Sequence, residues 1–284
     1  MVWAVTPIRY GLLSPIPSTV LGWQPPDAQA FSLPSLGYLL HNADADRLCL
    51  VDLGPSSPHV SRDHGRTVVV DGEWCGVGGG LRAAGVDPEQ VDTVIITHAH
   101  WDHSYGADEL PSAEVIVQRA DLEFGADEHG EQSPFFDRAG GLYAPGPILR
   151  VIDGDIELAE GLRCVRLGGH TPGSQAILID TADGVVACLG DLAHRYENIL
   201  GLIAGGTALP SGLMVDRSQW AGALDRLAAM SVIPLLAHDE RSRLVLRHCA
   251  KLTGHGGEYR IRADDWELLP DQANSAAVEG FRAA

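Results

Sequence analysis

One six-residue segment, His98-Ala99-His100-Trp101-Asp102-His103, constrains this chain more than any other feature, because it holds three imidazoles and a carboxylate. It directly follows the β-branched run 93–97, which predicts a buried strand. The whole chain of 284 residues contains only 12 His, so composition alone rarely produces such a cluster. The alternative explanation is a polar loop whose histidines are satisfied by hydrogen bonds. The spacing favours a strand that leads into a metal-binding loop.

The spacing within this segment predicts two metal positions. Alternate residues of an extended segment face the same way, so His98 and His100 can bind one ion. Asp102 and His103 lie around the bend and can reach a second ion. Imidazole nitrogen and carboxylate oxygen without a thiolate favour Zn, with Mn, Fe or Co as other possibilities. We therefore predict two divalent metal ions.

Three further motifs each place one potential ligand just after a predicted strand. They are Gly169-His170-Thr171-Pro172-Gly173, Leu189-Gly190-Asp191 and Ala237-His238-Asp239. Taken singly, each signal is weak, because a lone His after a strand is more often a hydrogen-bonded structural residue. Together with the first cluster they favour a metal role.

The order of these motifs resembles the five-motif pattern of the metallo-β-lactamase superfamily over about residues 35–240. Within that superfamily the chain is most similar to the N-acyl-homoserine lactonase family, through residues 97–103, 117–124 and 169–175 and through Glu197-Asn198. The resemblance implies an αββα sandwich, in which two mixed β-sheets pack face to face with helices on the outer faces. The metals would lie at the sheet edges.

The resemblance also implies a complete set of ligands. One ion would be bound by His98, His100 and His170, and the other by Asp102, His103 and His238. Asp191 and a hydroxide would bridge both ions. Asp52 would support the site from outside the coordination sphere, or be an ordinary residue at the end of a strand.

The chain departs from the family pattern at one position. Lactonases of that family carry a Tyr three residues after the bridging Asp, whereas here that offset holds His194 and the nearest Tyr is Tyr196. Either residue can act as hydrogen-bond donor or proton shuttle, or merely lie in a solvent-facing loop. The predicted catalytic residues are therefore Asp102, Asp191, His194 and Tyr196.

The predicted centre suits hydrolysis. Two divalent ions, two aspartates and one hydroxide leave a net charge of about +1, which matches developing negative charge on a substrate. We predict an enzyme that opens a lactone or cleaves a small ester, with acyl-homoserine lactone as the leading substrate. A phosphotriester or phosphoester hydrolase, an iron-dependent oxidoreductase and a non-catalytic binding protein are the alternatives.

The overall charge restricts the partners. Lys and Arg number 20 against 38 Asp and Glu, a net charge of −18 that repels nucleic acids and anionic membranes. A small neutral or apolar ester or lactone is compatible with it. The five Cys form no CxxC pair, and the N-terminus has neither a basic start nor a long apolar run, so we expect a cytoplasmic protein, monomeric or homodimeric.

We expect a single domain over residues 1–284. It would comprise a Pro-rich surface loop at about 14–34, a motif-bearing core at about 35–240 and a C-terminal extension at about 241–284. Strands are predicted at 37–40, 48–51, 93–97, 114–117, 148–152, 162–167, 176–180, 185–189 and 232–237. Ser218 is predicted to cap a helix. The aromatics predicted to lie near the site, with Trp101 foremost, are Trp23, Phe31, Trp74, Trp101, Phe135, Phe136 and Tyr143.

Overall fold

The computed structural model describes residues 2–22, 30–55, 68–70, 72–127, 135–136, 141–143, 146, 148–202 and 205–269. Its first sheet has the order β4-β1-β2-β3-β5-β6-β7. These strands are β1 (Ala4–Pro17), β2 (Ala30–Asn42), β3 (Arg47–Val51), β4 (Val68–Val69), β5 (Thr93–Ile95), β6 (Glu114–Gln118) and β7 (Ile148–Ile152). From β3 onward the pairing is parallel, while β1, β2 and β4 pair antiparallel, so the sheet is mixed.

The second sheet has the order β12-β11-β10-β9-β8 and is also mixed. Its strands are β8 (Ile156–Ala159), β9 (Leu162–Arg166), β10 (Gln175–Thr181), β11 (Gly184–Cys188) and β12 (Ile233–Leu235). Only the β11–β12 pair is parallel. A small antiparallel sheet of β13 (Lys251–His255), β14 (Glu258–Ala263) and β15 (Trp266–Leu268) follows. All the strands predicted from the sequence are present.

Six α-helices lie within the described residues. They are α1 (Gly76–Ala83), α2 (Trp101–Ser104), α3 (Arg119–Ala126), α4 (Tyr196–Leu200), α5 (Arg217–Ala229) and α6 (Ser242–Arg247). Helix α5 begins at Arg217, not after Ser218 as predicted. Its cap is Asp216, whose carboxylate accepts hydrogen bonds from the backbone N–H groups of Ser218 and Gln219 at 2.8 and 3.0 Å.

Alternation along the strands divides the interior into two layers. Leu40, Val51 and Ile95 of the first sheet pack against the second sheet and share one core with Ile177 and Val186. Helix α5 contributes Trp220, Leu224 and Leu227 to the same core. On the opposite face of the first sheet, Leu39, Leu50 and Val94 pack with Val77 and Leu81 of helix α1. The αββα sandwich predicted from the resemblance is confirmed.

The predicted surface loop at 14–34 is wrong at both ends. Strand β1 extends through Pro15 to Pro17, and β2 begins at Ala30 and contains Pro34. Pro lacks a backbone N–H, so it interrupts a ladder, and here the pairing of β1 with β2 shifts register between Leu13 and Ile16. The bulge lets the strand continue where the sequence indicated a loop. Trp23, in the same predicted loop, lies outside the described residues.

The predicted C-terminal extension contains helix α6 and the three-stranded sheet, as far as residue 269. Leu252 and Ile261 of this sheet are buried in the main core, so the segment is part of the folded body. Across the described ranges we find no helix of sufficient length and apolarity to traverse a bilayer.

Candidate metal centre

The potential ligands lie on four loops that follow strands of both sheets. His98, His100, Asp102 and His103 come after β5 of the first sheet, and His170, Asp191 and His238 come after β9, β11 and β12 of the second. All but Asp102 are buried. The sheets therefore meet at one edge through two groups of side chains that could hold a metal ion each, and Asp191 belongs to both groups.

The first group, as we call it from here, consists of His98, His100, His170 and Asp191. His98 Nε2, His100 Nδ1 and His170 Nε2 form a nearly equilateral triangle with sides of 3.1, 3.1 and 3.2 Å. Around a tetrahedral zinc ion with Zn–N bonds of about 2.0–2.1 Å, ligand nitrogens stand roughly 3.3 Å apart. Asp191 Oδ2 lies 3.6 Å from His170 Nε2 and 3.8 Å from His98 Nε2. The spacing fits one coordination sphere.

Hydrogen bonding shows why the first group suits a cation. His170 Nδ1 lies 2.7 Å from the Leu213 carbonyl, which can only accept, so Nδ1 carries the proton and Nε2 keeps a lone pair. Burial lowers the pKa of His170 to about 4 and that of His98 well below its ordinary value. Both rings are thus neutral near pH 7. The Nε2 atoms of His98 and His170 lie 3.2 Å apart, close enough for one positive ion between them to contact both.

The second group consists of Asp102, His103, His238 and Asp191. Asp191 Oδ1 lies 3.1 Å from His238 Nε2 and 3.3 Å from His103 Nε2. Asp102 Oδ2 lies 3.5 and 3.8 Å from the same two nitrogens. The donors are two imidazoles and two carboxylates without sulfur, a set that suits zinc and harder divalent ions.

Charge distinguishes the second group from the first. Burial alone would lower the pKa of His103, but the carboxylates of Asp191, Asp102 and Asp52 outweigh it and raise that pKa well above its ordinary value. The pKa of His238 is also raised, since Asp191 outweighs burial. Burial would raise the pKa of Asp191, but His194, His238 and His103 hold it well below its usual range. The second group is a pocket that attracts positive charge.

Asp52 supports the second group from behind. Its Oδ2 accepts a hydrogen bond from His103 Nδ1 at 2.9 Å and from the Thr97 hydroxyl at 2.8 Å, and its Oδ1 accepts from the Thr97 backbone at 2.7 Å. A carboxylate on the outer nitrogen orients the ring of a ligating His. Asp52 adopts a left-handed backbone with φ of 61°, which a non-glycine residue rarely does. The structure thus places Asp52 against a potential ligand.

Close packing at this edge requires glycine before Asp191. A Cβ atom at Gly190 would lie 2.4 Å from the Thr97 Oγ1 atom, and the residue has a φ of +50°. The loop after β11 therefore touches the strand that leads to His98, which brings Asp191 between the two groups.

His194 lies at the site and Tyr196 does not. His194 Nε2 is 3.1 Å from Asp191 Oδ2, and the ring stacks on His238 with a centroid separation of 5.7 Å. Its Nδ1 is buried without a hydrogen-bond partner among the described residues. The fully buried Tyr196 hydroxyl instead donates to the Pro234 carbonyl at 2.8 Å and contacts Ser242 Oγ at 3.1 Å. The predicted role for Tyr196 is wrong, because helix α4 turns its side chain into the core.

A buried ion cluster lies beside His238. Arg241 bonds both Glu197 oxygens, at 2.7 and 2.8 Å, and also the Asp239 carboxylate. Burial would raise the pKa of Asp239, but Arg241 outweighs it and lowers that pKa. Asp239 Oδ2 also accepts the Tyr196 backbone N–H at 3.2 Å. The cluster joins helix α4 to the loop that carries His238.

An apolar wall completes the candidate site, in a cavity of about 50 Å³ next to the two groups. The side chains of this wall are Leu13, Ile16, Val20, Leu33, Trp101, Phe135 and Leu213. Trp101 and Phe135 were predicted near the site. Phe136 lies behind it, in edge contact with the His100 ring at 4.8 Å, and Tyr143 packs in the same core layer. Phe31 and Trp74 pack against the wall's own cluster.

The sequence interpretation missed the aliphatic part of this wall. Ile16 and Leu33 fall in the segment 14–34 that was predicted as a surface loop, and Leu13 directly precedes it, whereas the structure places these residues on β1 and β2. The sequence interpretation also assigned no role to Asp121, although that residue lies within the quoted segment 117–124. Nothing in the sequence distinguishes Asp121 from a surface acid; its importance becomes apparent only when the structure shows that it is fully buried.

Fold and site together define a class: a sandwich of two mixed sheets with two buried His/Asp groups that share one carboxylate at its edge. A sequence profile of the metallo-beta-lactamase superfamily matches residues 37–234. The chain therefore belongs to the metallo-beta-lactamase superfamily.

Among individual relatives, N-acyl homoserine lactonases are similar to part of this chain. An N-acyl homoserine lactonase from a Bacillus species is 33% identical over 119 residues, which cover 42% of this chain and 45% of the relative. The chain thus matches less than half the length of that curated relative.

Two solved structures share the fold. An N-acyl homoserine lactone hydrolase with the product N-hexanoyl-L-homoserine at its catalytic metal centre superposes with a TM-score of 0.69 at 19% identity, covering 94% of this chain and 100% of the other. AidC, a dizinc quorum-quenching lactonase in complex with its product, superposes with a TM-score of 0.67 at 13% identity, covering 93% and 95%.

Proposed function

We propose that this protein is a dinuclear metal-dependent hydrolase that opens lactone rings, with N-acyl homoserine lactones as its leading substrates. The observation that carries the proposal is the pair of buried His/Asp groups sharing Asp191 beside an apolar wall. The relatives named above support the substrate class. Zinc is the proposed metal, because the donors are imidazoles and carboxylates.

The proposed ligands are those expected from the resemblance. His98, His100 and His170 would hold one ion, Asp102, His103 and His238 would hold the other, and Asp191 would contribute to both. Two divalent ions held there would supply an acidified water and a polarised carbonyl, which is the chemistry that ester hydrolysis requires. The chain's own side chains fix where that chemistry occurs and exclude bulk water from it.

The apolar wall is the proposed contact surface for the acyl chain. Leu33 and Trp101 are almost fully buried and stand next to the ligand groups, so an apolar chain bound there leaves the ester or lactone carbonyl at the metals. A net charge of −18 favours a neutral substrate over an anionic phosphodiester. Small size and low polarity are the properties we propose for the substrate.

His194 is the proposed hydrogen-bonding partner of the substrate. One ring nitrogen lies against Asp191 while the other has no partner in the described part of the chain. His194→Phe keeps an aromatic ring in place but removes both nitrogens. We expect a lower kcat with unchanged metal content; an unaltered kcat would assign the residue to packing.

The decisive experiment measures metal stoichiometry by mass spectrometry and, on the same sample, hydrolysis rates for lactones, linear esters, thioesters and phosphotriesters. We expect two ions per chain and the highest kcat/KM on acyl lactones. His100→Ala and Asp102→Ala should each lose metal and turnover, by roughly 10³-fold. Full activity in a metal-depleted variant, or a preference for phosphotriesters, would contradict the proposal.

A further inference from the structure

Asp121 is a fully buried carboxylate in the first turn of helix α3. It accepts two backbone hydrogen bonds, one on each oxygen. The Ala99 N–H donates to Oδ2 at 2.6 Å, and the Gly173 N–H donates to Oδ1 at 2.8 Å. Both bonds are short, and a charged acceptor makes such bonds stronger than neutral ones.

The two donors belong to different parts of the first group. Ala99 lies between His98 and His100, on the loop after β5 of the first sheet. Gly173 lies three residues after His170, on the loop after β9 of the second sheet. One carboxylate therefore joins the two loops that together carry the three imidazoles of the first group.

The fit between helix α3 and the second loop is close enough to require glycine. A Cβ atom at Gly173 would lie 2.6 Å from both the backbone nitrogen and Oδ1 of Asp121. The backbone of Gly173 is not in the left-handed region, so contact, and not conformation, excludes a side chain there. The loop that carries His170 rests directly on the Asp121 carboxyl group.

A buried carboxylate at this place is costly for folding. Desolvation raises the pKa of Asp121 even though hydrogen bonds from Thr171, Ala99 and Gly173 act to lower it. The charge of Arg166 also acts to lower the pKa of Asp121, but burial outweighs it, and burying a charged group opposes stability. The Asp121 carboxylate thus loses its hydration and in return fixes the positions of the Ala99 and Gly173 backbone.

Within the described residues, Asp121 bonds the backbone beside ligands of the first group, and none of its hydrogen bonds goes to a side chain of the second group. In the second group the outer nitrogens of the imidazoles bond elsewhere, His103 to Asp52 and His238 to the Pro34 carbonyl at 2.8 Å. We propose that Asp121 is a positioning residue that sets the separation between the His98–His100 pair and His170, and so determines metal affinity at the first group. This inference rests on the metal centre of the proposed function.

The test uses Asp121→Asn in the purified, metal-loaded protein. An amide has one acceptor oxygen and one NH2 group, so in either orientation one of the two backbone N–H groups faces a donor. The matched control is Glu123→Gln, an exposed residue on the same helix. Chelator competition followed by native mass spectrometry gives the two affinities, and cadmium NMR distinguishes the nitrogen-rich first group from the oxygen-rich second.

We expect Asp121→Asn to bind metal about 10–100-fold more weakly at the first group, with the second group and the Glu123→Gln variant unchanged. Gly173→Ala tests the same contact from the other side and should give the same selective loss. Thermal unfolding of the metal-free proteins shows whether Asp121→Asn folds. If it does not fold, the Gly173→Ala variant still tests the inference.

Wild-type affinity at both groups in both variants would overturn the inference. So would an equal loss at both groups, because it would indicate general destabilisation. A wild-type protein that binds no metal would overturn the metal centre and this inference together. If the wild type binds two ions but opens no lactone, the proposed function fails while the selective effect of Asp121 still stands.

Discussion

The two groups of potential metal ligands, together called the ligand wall from here, and the apolar wall of the candidate site are built in different ways. The ligand wall draws one or more side chains from each of four loops in two sheets, and the outer nitrogens of His103, His170 and His238 are fixed by hydrogen bonds. Three of the seven side chains of the apolar wall, Leu13, Ile16 and Leu33, come from β1 and β2, and they pack with Trp101 in one hydrophobic cluster. The function of the ligand wall depends on the direction and charge of its side chains. The function of the apolar wall depends on the shape and volume that its side chains leave.

This difference separates the rate of the proposed enzyme from its preference among substrates. Changes in the ligand wall should lower the rate for every substrate by the same factor, because they alter the reacting centre. Changes in the apolar wall should alter the ranking of substrates while metal content stays constant. The three predictions below test that separation.

The largest effect is expected at Asp191, whose two oxygens face different groups. Oδ2 lies towards His170 and His194, and Oδ1 towards His103 and His238. Asp191→Asn removes the charge that both proposed ions share. We expect loss of both ions and a fall in kcat/KM of roughly 10³-fold or more, equal for short and long acyl chains. Mass spectrometry and steady-state kinetics measure the two quantities.

Asp180→Asn is the matched control for that substitution. Asp180 lies on β10 with its carboxylate in a half-exposed ion pair with Arg163 at 2.8 Å, so the same chemical change occurs away from the site. If Asp191→Asn kept two tightly bound ions, Asp191 would not be a shared ligand.

A smaller effect is expected at Asp52, which contacts the ligand wall only through His103 and Thr97. Asp52→Asn weakens the hydrogen bond to His103 Nδ1 without removing a potential metal ligand. We expect metal binding at the second group to weaken about 10–100-fold, and added zinc to restore turnover. Asp92→Asn, on a half-exposed side chain, is the control. Failure of added metal to restore activity would show that Asp52 acts in some other way.

The ligand wall could be predicted from the sequence because its chemistry demands particular residue types. Few functions other than metal binding place His at 98, 100 and 103 beside an Asp, directly after a strand. The four strands that lead to the ligands were equally visible, since their apolar runs are bounded by turn residues. The sequence could not show the direction in which each side chain points. His194 and Tyr196 are two residues apart, yet one faces Asp191 and the other bonds the Pro234 carbonyl in the core.

The apolar wall could not be predicted for a different reason. Leu and Ile on a strand bury equally well in a core or beside a substrate, so Leu13 and Leu33 carry no local signal. The proline content of residues 14–34 also indicated a loop, whereas a bulge keeps Pro15 within β1. Asp121 illustrates the same limit among polar residues, because its two hydrogen bonds come from loops that are distant in sequence. Such contacts exist only once both sheets are in place.

The smallest effect is expected in the apolar wall, at the half-buried Val20. Val20→Ala removes two methyl groups from the proposed acyl contact, at about 0.8 kcal/mol for each fully buried carbon, and partial burial reduces that value. We expect kcat/KM to fall about 3- to 10-fold for a long-chain acyl lactone and to stay unchanged for a short-chain one. Val2→Ala, on an exposed side chain that precedes β1, is the matched control. Metal content should equal that of the wild type, and an equal fall for both chain lengths would show that the two walls do not act separately.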